Sequence, residues 1–248
     1  MMAMDPKGQA GIVTISEGIC KGCSILSARF ILTNEDGSEA HPSNGVYIHH
    51  FVSYDARKSA SDPLMGCDGG FPMMGAPFID RGEDSGETDT IFTTPKGTSK
   101  DGYHMNSGSI VVQYDMVNYN PTSRKIYINL EYEYLPTQAG KDAGHSLKSV
   151  TCNGAIPPKV SQTGSANTTS MSMLVKSNNT IVWARGHLHS GGVKMLFNVN
   201  GKTVCTSLPK YNSAGVITTM SLCPEPIPLT MGQYVTITSE YDLTKHKL

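Results

Sequence analysis

Nine residues, Ile126-Tyr127-Ile128-Asn129-Leu130-Glu131-Tyr132-Glu133-Tyr134, show most plainly what this chain can fold into. Side chains two apart on a strand share a face, so Ile126, Ile128, Leu130, Tyr132 and Tyr134 face one way. Tyr127, Asn129, Glu131 and Glu133 face the other. A period of two over nine residues predicts a half-buried strand. Helical periodicity is hard to find anywhere. Short alternating runs are instead separated by Gly, Pro, Asn and Ser clusters, in a chain of 248 residues with 25 glycines and 14 prolines. Asn200-Gly201, between LFNV and KTVCT, predicts a hairpin, because both turn positions tolerate positive φ. Asp36-Gly37 plays a similar part between SARFILTN and VYIHHFV. The pattern is that of an all-β protein.

The length allows one large β domain or two small ones. The stretch Asn153–Thr169 is the best linker, with Pro157-Pro158 holding it extended. It divides the chain into an N-terminal β-sandwich, residues 1–155, and a C-terminal one, residues 156–248. The region Ser53–Gly108 is rich in Gly, Asp, Pro, Met and Ser and carries only weak strand signals, which predicts a long functional or mobile insertion. Its methionines, Met65, Met73 and Met74, are soft donors in principle, although methionine more often fills packing gaps.

The formal net charge is −1 and no basic run appears, so nucleic acid and anionic membranes find no electrostatic partner here. No apolar stretch approaches the roughly 20 residues that span a bilayer. The segment MMAMDPKGQAG lacks the basic-then-apolar pattern of a signal peptide. Six cysteines (20, 23, 67, 152, 205 and 223) allow three disulfides, and Asn167-Thr168-Thr169 and Asn178-Asn179-Thr180 fit the glycosylation pattern. These features lean toward an extracellular or secretory protein, and the missing signal toward a cytoplasmic one. Cys205 and Cys223 flank an expected hairpin and are disulfide candidates. Cys20-x-x-Cys23 has no second such motif and no βαβ context, so a zinc ribbon or a redox pair has little support, and the partners of Cys20, Cys23, Cys67 and Cys152 stay open.

The chemistry is concentrated in histidines. In Arg185-Gly186-His187-Leu188-His189-Ser190-Gly191-Gly192 two imidazoles stand two residues apart just ahead of an alternating run. In extended backbone they leave the same face, which makes half of a metal site. Nitrogen-rich donors suit copper or zinc better than magnesium or calcium. A second pair, His49-His50, lies in Val46-Tyr47-Ile48-His49-His50-Phe51-Val52. Adjacent residues on a regular strand point to opposite faces, so a bulge or a strand end is needed to bring these two together. A Ser-His-Asp spacing, a phosphate-binding glycine loop and a conventional zinc motif are all absent.

The order His-His, a long β stretch, then His-x-His resembles the copper type II monooxygenases, the class of peptidylglycine α-hydroxylating and dopamine β-monooxygenases. Cys20-Lys21-Gly22-Cys23, Asp36-Gly37, the Tyr47–Phe51 run, Gly186–Gly192 and Val204-Cys205-Thr206-Ser207 followed by Tyr211 look more closely like fungal relatives of the stress-up-regulated nodulin family. The resemblance runs from about residue 20 onward. It implies two antiparallel, jelly-roll-like β-sandwiches that each bring one copper to a shared cleft. His49 and His50 match two of three histidines of an electron-supplying copper, and the third position falls at Asn118 in Val117-Asn118-Tyr119-Asn120-Pro121. His187 and His189 match an oxygen-activating copper completed by a methionine. That methionine is expected past Glu240-Tyr241-Asp242-Leu243, and the sequence ends at Leu248. His246 is a candidate third ligand there. Met220 reads as a strand residue packed near a disulfide, and His104 and His145 as loop histidines that could complete the first site. Asn118, Tyr119 and Tyr47 are the candidate substrate-binding residues.

The leading expectation is a copper-dependent oxidoreductase acting on a small organic molecule, with His187 and His189 at the reactive metal. Its rival is a metal-independent, pericyclase-like pocket in the same fold, which speeds a ring closure by orientation. A purely structural or interaction module is the third reading. Homo-oligomerisation is left open.

Overall fold

The computed structural model describes residues 8–40, 44–67, 74–85, 88–94, 99–153, 164–223 and 225–245. Among these described residues there are eighteen strands and a 3-10 turn at Glu83–Ser85. In chain order the strands are β1 (Gly8–Ile15), β2 (Cys23–Asn34), β3 (Val46–Asp55), β4 (Leu64–Met65), β5 (Ala76–Gly82), β6 (Thr90–Ile91), β7 (Tyr103–Met105), β8 (Ile110–Asn118) and β9 (Ile126–Leu135). They continue as β10 (Ser165–Thr169), β11 (Met173–Val175), β12 (Asn179–Ile181), β13 (Gly192–Val199), β14 (Lys202–Ser207), β15 (Pro209–Tyr211), β16 (Ile217–Met220), β17 (Ile227–Leu229) and β18 (Tyr234–Asp242). The protein is all-β and its strand pairs are antiparallel, as the alternation predicts.

Two compact units divide the chain. Met1–Ala60, Met73–Glu83 and Glu87–His145 form the first, and Ser61–Pro72, Asp84–Gly86 and Ser146–Leu248 the second. Residues 154–163 of the expected linker lie outside the described residues.

In the first unit, one sheet runs β1-β8-β3-β5, and the other is built on the long β2, with β9 along one edge and β6 and β7 along the other. The two sheets enclose a core that includes Phe30, Phe51, Phe78, Phe92, Tyr103 and Met105. Phe30 of β2 meets Phe51 of β3 edge to face, with centroids 5.7 Å apart, a favoured aromatic geometry. Ile126, Ile128, Leu130 and Tyr132 pack on this core from β9, the face read from the sequence.

Two expectations need correction. The region Ser53–Gly108 is no structureless insertion: it supplies β4, β5, β6 and β7, and Phe78 and Ile79 of β5 are fully buried. Pro77 opposes Tyr54 on an edge strand, where a missing N–H is tolerated. Asp36-Gly37 does form a tight reversal, with Gly37 N–H donating to Asn34 O and Thr33 bridging Glu39. It does not join β2 to β3 as a hairpin, because those strands belong to different sheets.

The second unit has a six-stranded sheet, β14-β13-β18-β11-β4 with β10 also on β18, and the smaller pairs β12–β17 and β15–β16. Asn200 and Gly201, with φ of 49° and 78°, make the predicted turn between β13 and β14. Met173, Val175, Val235, Leu229 and Ile227 lead its main core, against which Cys67–Cys152 and Cys205–Cys223 pack as disulfides. The pairing expected for Cys205 and Cys223 is present. Cys20–Cys23 closes the third bridge, in the first unit. Three disulfides fit an oxidising compartment.

Candidate metal centre

The first unit brings His49 and His50 together by the device adjacent histidines require. Ile48 opposes Met116 on β8 and His50 opposes Asp115, so His49 is an extra residue in β3. This bulge swings both imidazoles to one place, with ring centroids 4.2 Å apart. Asp115 is buried, and its Oδ2 lies 3.4 Å from His49 Nδ1. Tyr47 precedes the pair on the same face. Its hydroxyl donates to Glu83 Oε2 at 2.7 Å, and its ring centroid lies 6.1 Å from His49 and 6.2 Å from Tyr119.

Asn118, His145, His104 and Met74 are engaged elsewhere. Asn118 ends β8 and closes the following loop: its Nδ2 donates to Thr122 O at 2.8 Å, and its Oδ1 accepts from the Asn120 backbone and side chain. His145 faces Asp80, with Nε2 and Oδ1 3.2 Å apart. His104 lies on β7, in the sheet opposite β3, with Nε2 3.4 Å from Ala139 O. Met74 Sδ accepts from Gln113 at 3.1 Å, Met65 is exposed on β4, and Met73 lies outside the described residues.

In the second unit, His187 and His189 occupy extended backbone between the Arg185–Leu222 bridge and the start of β13. Alternation holds even without a ladder. Gly186 and Leu188 are buried and the two histidines are exposed, with centroids 5.0 Å apart. Leu188 anchors the segment in a small core with Ile217 and Met220. Met220 is therefore packing, as the sequence suggests. His246 lies outside the described residues.

Several backbone groups of the segment are held. Gly186 N–H donates to Ser207 Oγ at 3.0 Å, His187 N–H to Met195 Sδ at 3.3 Å, and Leu188 N–H to Asp84 Oδ2 at 3.0 Å. Tyr211 donates its hydroxyl to Gly192 O at 2.6 Å, and the His189 N–H donates to the Tyr241 hydroxyl oxygen. Burial pushes the Tyr241 phenol above its ordinary value, the bond to His189 opposes this, and the charge of Asp84 adds to it. Gly192 must be glycine for a packing reason: a Cβ there would lie 2.7 Å from Leu188 Cβ.

Asp84 is the central residue that sequence reasoning missed. It is 1% exposed, and its second oxygen accepts from His187 Nδ1 at 2.7 Å. An ionised carboxylate only accepts, so Nδ1 carries the proton and the Nε2 lone pair is left for a metal. Asp115 stands to His49 in the same relation at longer range. An imidazole pair with one ring aimed by a buried carboxylate fits copper, whose affinity for nitrogen donors exceeds that of its neighbours in the first transition row. In the sequence Asp84 is one of five acids in Asp80–Asp89, with nothing to distinguish it from Glu83 or Asp89.

Comparison with known proteins agrees with this chemistry. The model of the family described as Stress up-regulated Nod 19 matches residues 94–247, more than half of the chain. The match includes Asp115, His187 and His189 and excludes His49, His50 and Asp84. Among curated proteins, the chain is 22% identical over 222 residues to "Probable copper-dependent oxygenase clz3" of Cochliobolus lunatus, covering 86% of the chain and 69% of that protein. It is also 22% identical over 237 residues to "Probable copper-dependent oxygenase M1" of a Phoma species, covering 92% of the chain and 59% of that protein.

Proposed function

Because the chain belongs to the Stress up-regulated Nod 19 family, we propose that it is a copper-binding oxygenase acting on a small organic substrate, with His187 and His189 as the ligands of the reactive metal. The observation that carries this reading is the 2.7 Å contact between buried Asp84 and His187 Nδ1. It holds one tautomer and one ring orientation, which is what an outer-sphere partner does for a ligating histidine. Bound there, copper supplies the redox chemistry that activation of dioxygen needs. The protein's own part is preorganisation: Ser207, Met195, Asp84, Tyr211 and Tyr241 pin the segment so that both imidazoles stand ready without rearrangement. His49 and His50 form a second nitrogen-donor pair, and Tyr47 and Tyr119 offer aromatic faces to an organic substrate beside it.

The test is elemental analysis after copper loading and gel filtration. Copper retained by the wild type and lost from the His187→Ala/His189→Ala double variant supports the reading. Retention of the full copper content by that variant, or none by the wild type, overturns it. One observation favours the metal-independent, cyclase-like alternative: Asn118, at the position where a third histidine is implied, is committed to its own loop. Unchanged turnover of a substrate after exhaustive chelation would establish that alternative.

A further inference from the structure

Three asparagines stand two residues before a threonine: Asn120-Pro121-Thr122, Asn167-Thr168-Thr169 and Asn178-Asn179-Thr180. Proline in the middle removes the first from the acceptor pattern for N-linked oligosaccharide and leaves the other two. The transferase acts on an unfolded sequon, but the folded protein must then accommodate a bulky, hydrated glycan on the side-chain nitrogen. That demands an exposed side chain whose Nδ2 is not needed for the fold.

The three positions divide cleanly by this criterion. Asn120 uses its Nδ2 twice, donating to Asn44 O at 3.0 Å and to Asn118 Oδ1 at 2.9 Å. Asn178 is exposed and anchored only through its oxygen, which accepts from Met231 N–H at 2.9 Å; its Nδ2 has no hydrogen-bond partner among the described residues. A glycosylated amide keeps its carbonyl, so that anchor survives the modification. Asn167 is exposed on β10, and its side chain has no hydrogen-bond partner among the described residues either.

The sheet decides where Asn167 points. It opposes Glu240 on β18, while its neighbour Ala166 opposes Tyr241. Alternation therefore puts Asn167 on the face away from Tyr241. Tyr241 lies on the side of Leu188 and Met220, where its hydroxyl accepts from the His189 N–H. On the Asn167 face the neighbours are polar: Glu240 pairs with Lys194 at 3.2 Å, and Thr169 bonds Thr238 at 2.9 Å. A glycan at Asn167 would extend over a hydrated surface and leave the His187–Gly192 segment uncovered.

We propose that Asn167 and Asn178 carry N-linked glycans. The oligosaccharide arrives on a lipid pyrophosphate. The amide nitrogen attacks its anomeric carbon, the lipid pyrophosphate leaves, and Nδ2 gives up one proton. The same compartment supplies the oxidant for the three disulfides.

The test is to secrete the chain from a eukaryotic host behind a heterologous signal sequence and map peptides before and after peptide N-glycosidase treatment. Conversion of Asn167 and Asn178 to aspartate is expected, with Asn120 unchanged. Asn167→Gln and Asn178→Gln should each remove one step in electrophoretic mobility, and the pair together the whole shift. Disulfide-bonded wild-type protein that yields unmodified Asn167 and Asn178 peptides would overturn the proposal, and the mapping needs no variant to fold.

Discussion

Replacing Asp84 by asparagine separates orientation of the ligand from stability of the fold. Asp84 uses one oxygen for His187 Nδ1 at 2.7 Å and the other for Leu188 N–H at 3.0 Å. In Asp84→Asn, the remaining oxygen can still accept from Leu188, which turns the new NH2 toward the imidazole. Nδ1 then becomes the acceptor and the proton moves to Nε2, the atom that should bind metal. Outer-sphere partners of ligating histidines are worth about 10–100-fold in metal affinity, or about 1.4–2.7 kcal/mol at about 1.4 kcal/mol per tenfold. Asp84→Ala removes both acceptors. The buried Leu188 N–H is then unsatisfied, at a cost of about 1–3 kcal/mol, and each kcal/mol lowers Tm by about 2–4 °C in a chain of this length. The expected pattern is a copper Kd raised about 10–100-fold in both variants, with Tm near the wild-type value for Asp84→Asn and lowered for Asp84→Ala. Competition titration against a chromophoric copper(I) chelator, run beside thermal scans, reads both quantities. Wild-type affinity in Asp84→Asn, or an affinity loss that merely follows Tm, would refute the orienting role.

Other perturbations test the surrounding framework. Gly192→Ala drives a Cβ to 2.7 Å from Leu188 Cβ and 3.1 Å from His189 O, so thermal scans should show a loss of about 1–3 kcal/mol together with weaker copper binding. Tyr103 is buried beneath the Lys58 ammonium, and its hydroxyl has no hydrogen-bond partner among the described residues. Burial, aided by the charges of Asp55 and Asp142, pushes its pKa up; its contribution is therefore complete below the unfolded tyrosine value of about 10 and declines as pH rises toward the folded value. Tyr103→Phe should match the wild type at neutral pH and lose less stability above pH ~10, as followed by circular dichroism. Asp101 is held below the ordinary carboxylate range by the Lys141 N–H and then by Ser99, so its contribution is present above the unfolded value of about 4 and lost as pH falls through the folded one. Asp101→Asn should flatten the acid limb of a Tm–pH curve; an unchanged limb refutes the assignment. Chain entropy assigns about 4.6 kcal/mol to Cys67–Cys152, separated by 85 residues, and about 1.6 kcal/mol to Cys20–Cys23, separated by 3. Denaturant midpoints of the paired Cys→Ser variants should fall in that order.

How much was legible in the sequence followed the range of the interactions. The strand at Ile126–Leu135 could be read because its pattern is local and one face is solvated, and the Asn200-Gly201 turn because its backbone demands those residues. The strand at Ala76–Gly82 could not. Pro77 argues against a strand unless it is known to lie at an edge, and edge position is a property of the whole sheet. The turn at Asp36-Gly37 was found, but its strands part to different sheets, since a turn signal reports a reversal and not which strands will pair afterward.

The candidate site divides along the same line. The histidines declare themselves by residue type and spacing, and an extended backbone suffices to align His187 with His189. For His49 and His50 the sequence states only the condition, a bulge, and the β8 register supplies it. The carboxylates that aim the rings are invisible, because Asp84 lies 103 residues from His187 and Asp115 lies 66 from His49. Neither alters local periodicity, and an acid in a polar stretch reads as a solvated side chain until the fold buries it. Burial then changes its meaning. A fully desolvated carboxylate is costly unless its oxygens are satisfied, so the fold that buries Asp84 must also bring it the Leu188 N–H and the His187 ring. The contact is also selective for one tautomer, since an ionised carboxylate can only accept from Nδ1. Asp84 is therefore a sharper mark of a prepared ligand than the His-x-His spacing, and metal affinity should respond to it before the fold does.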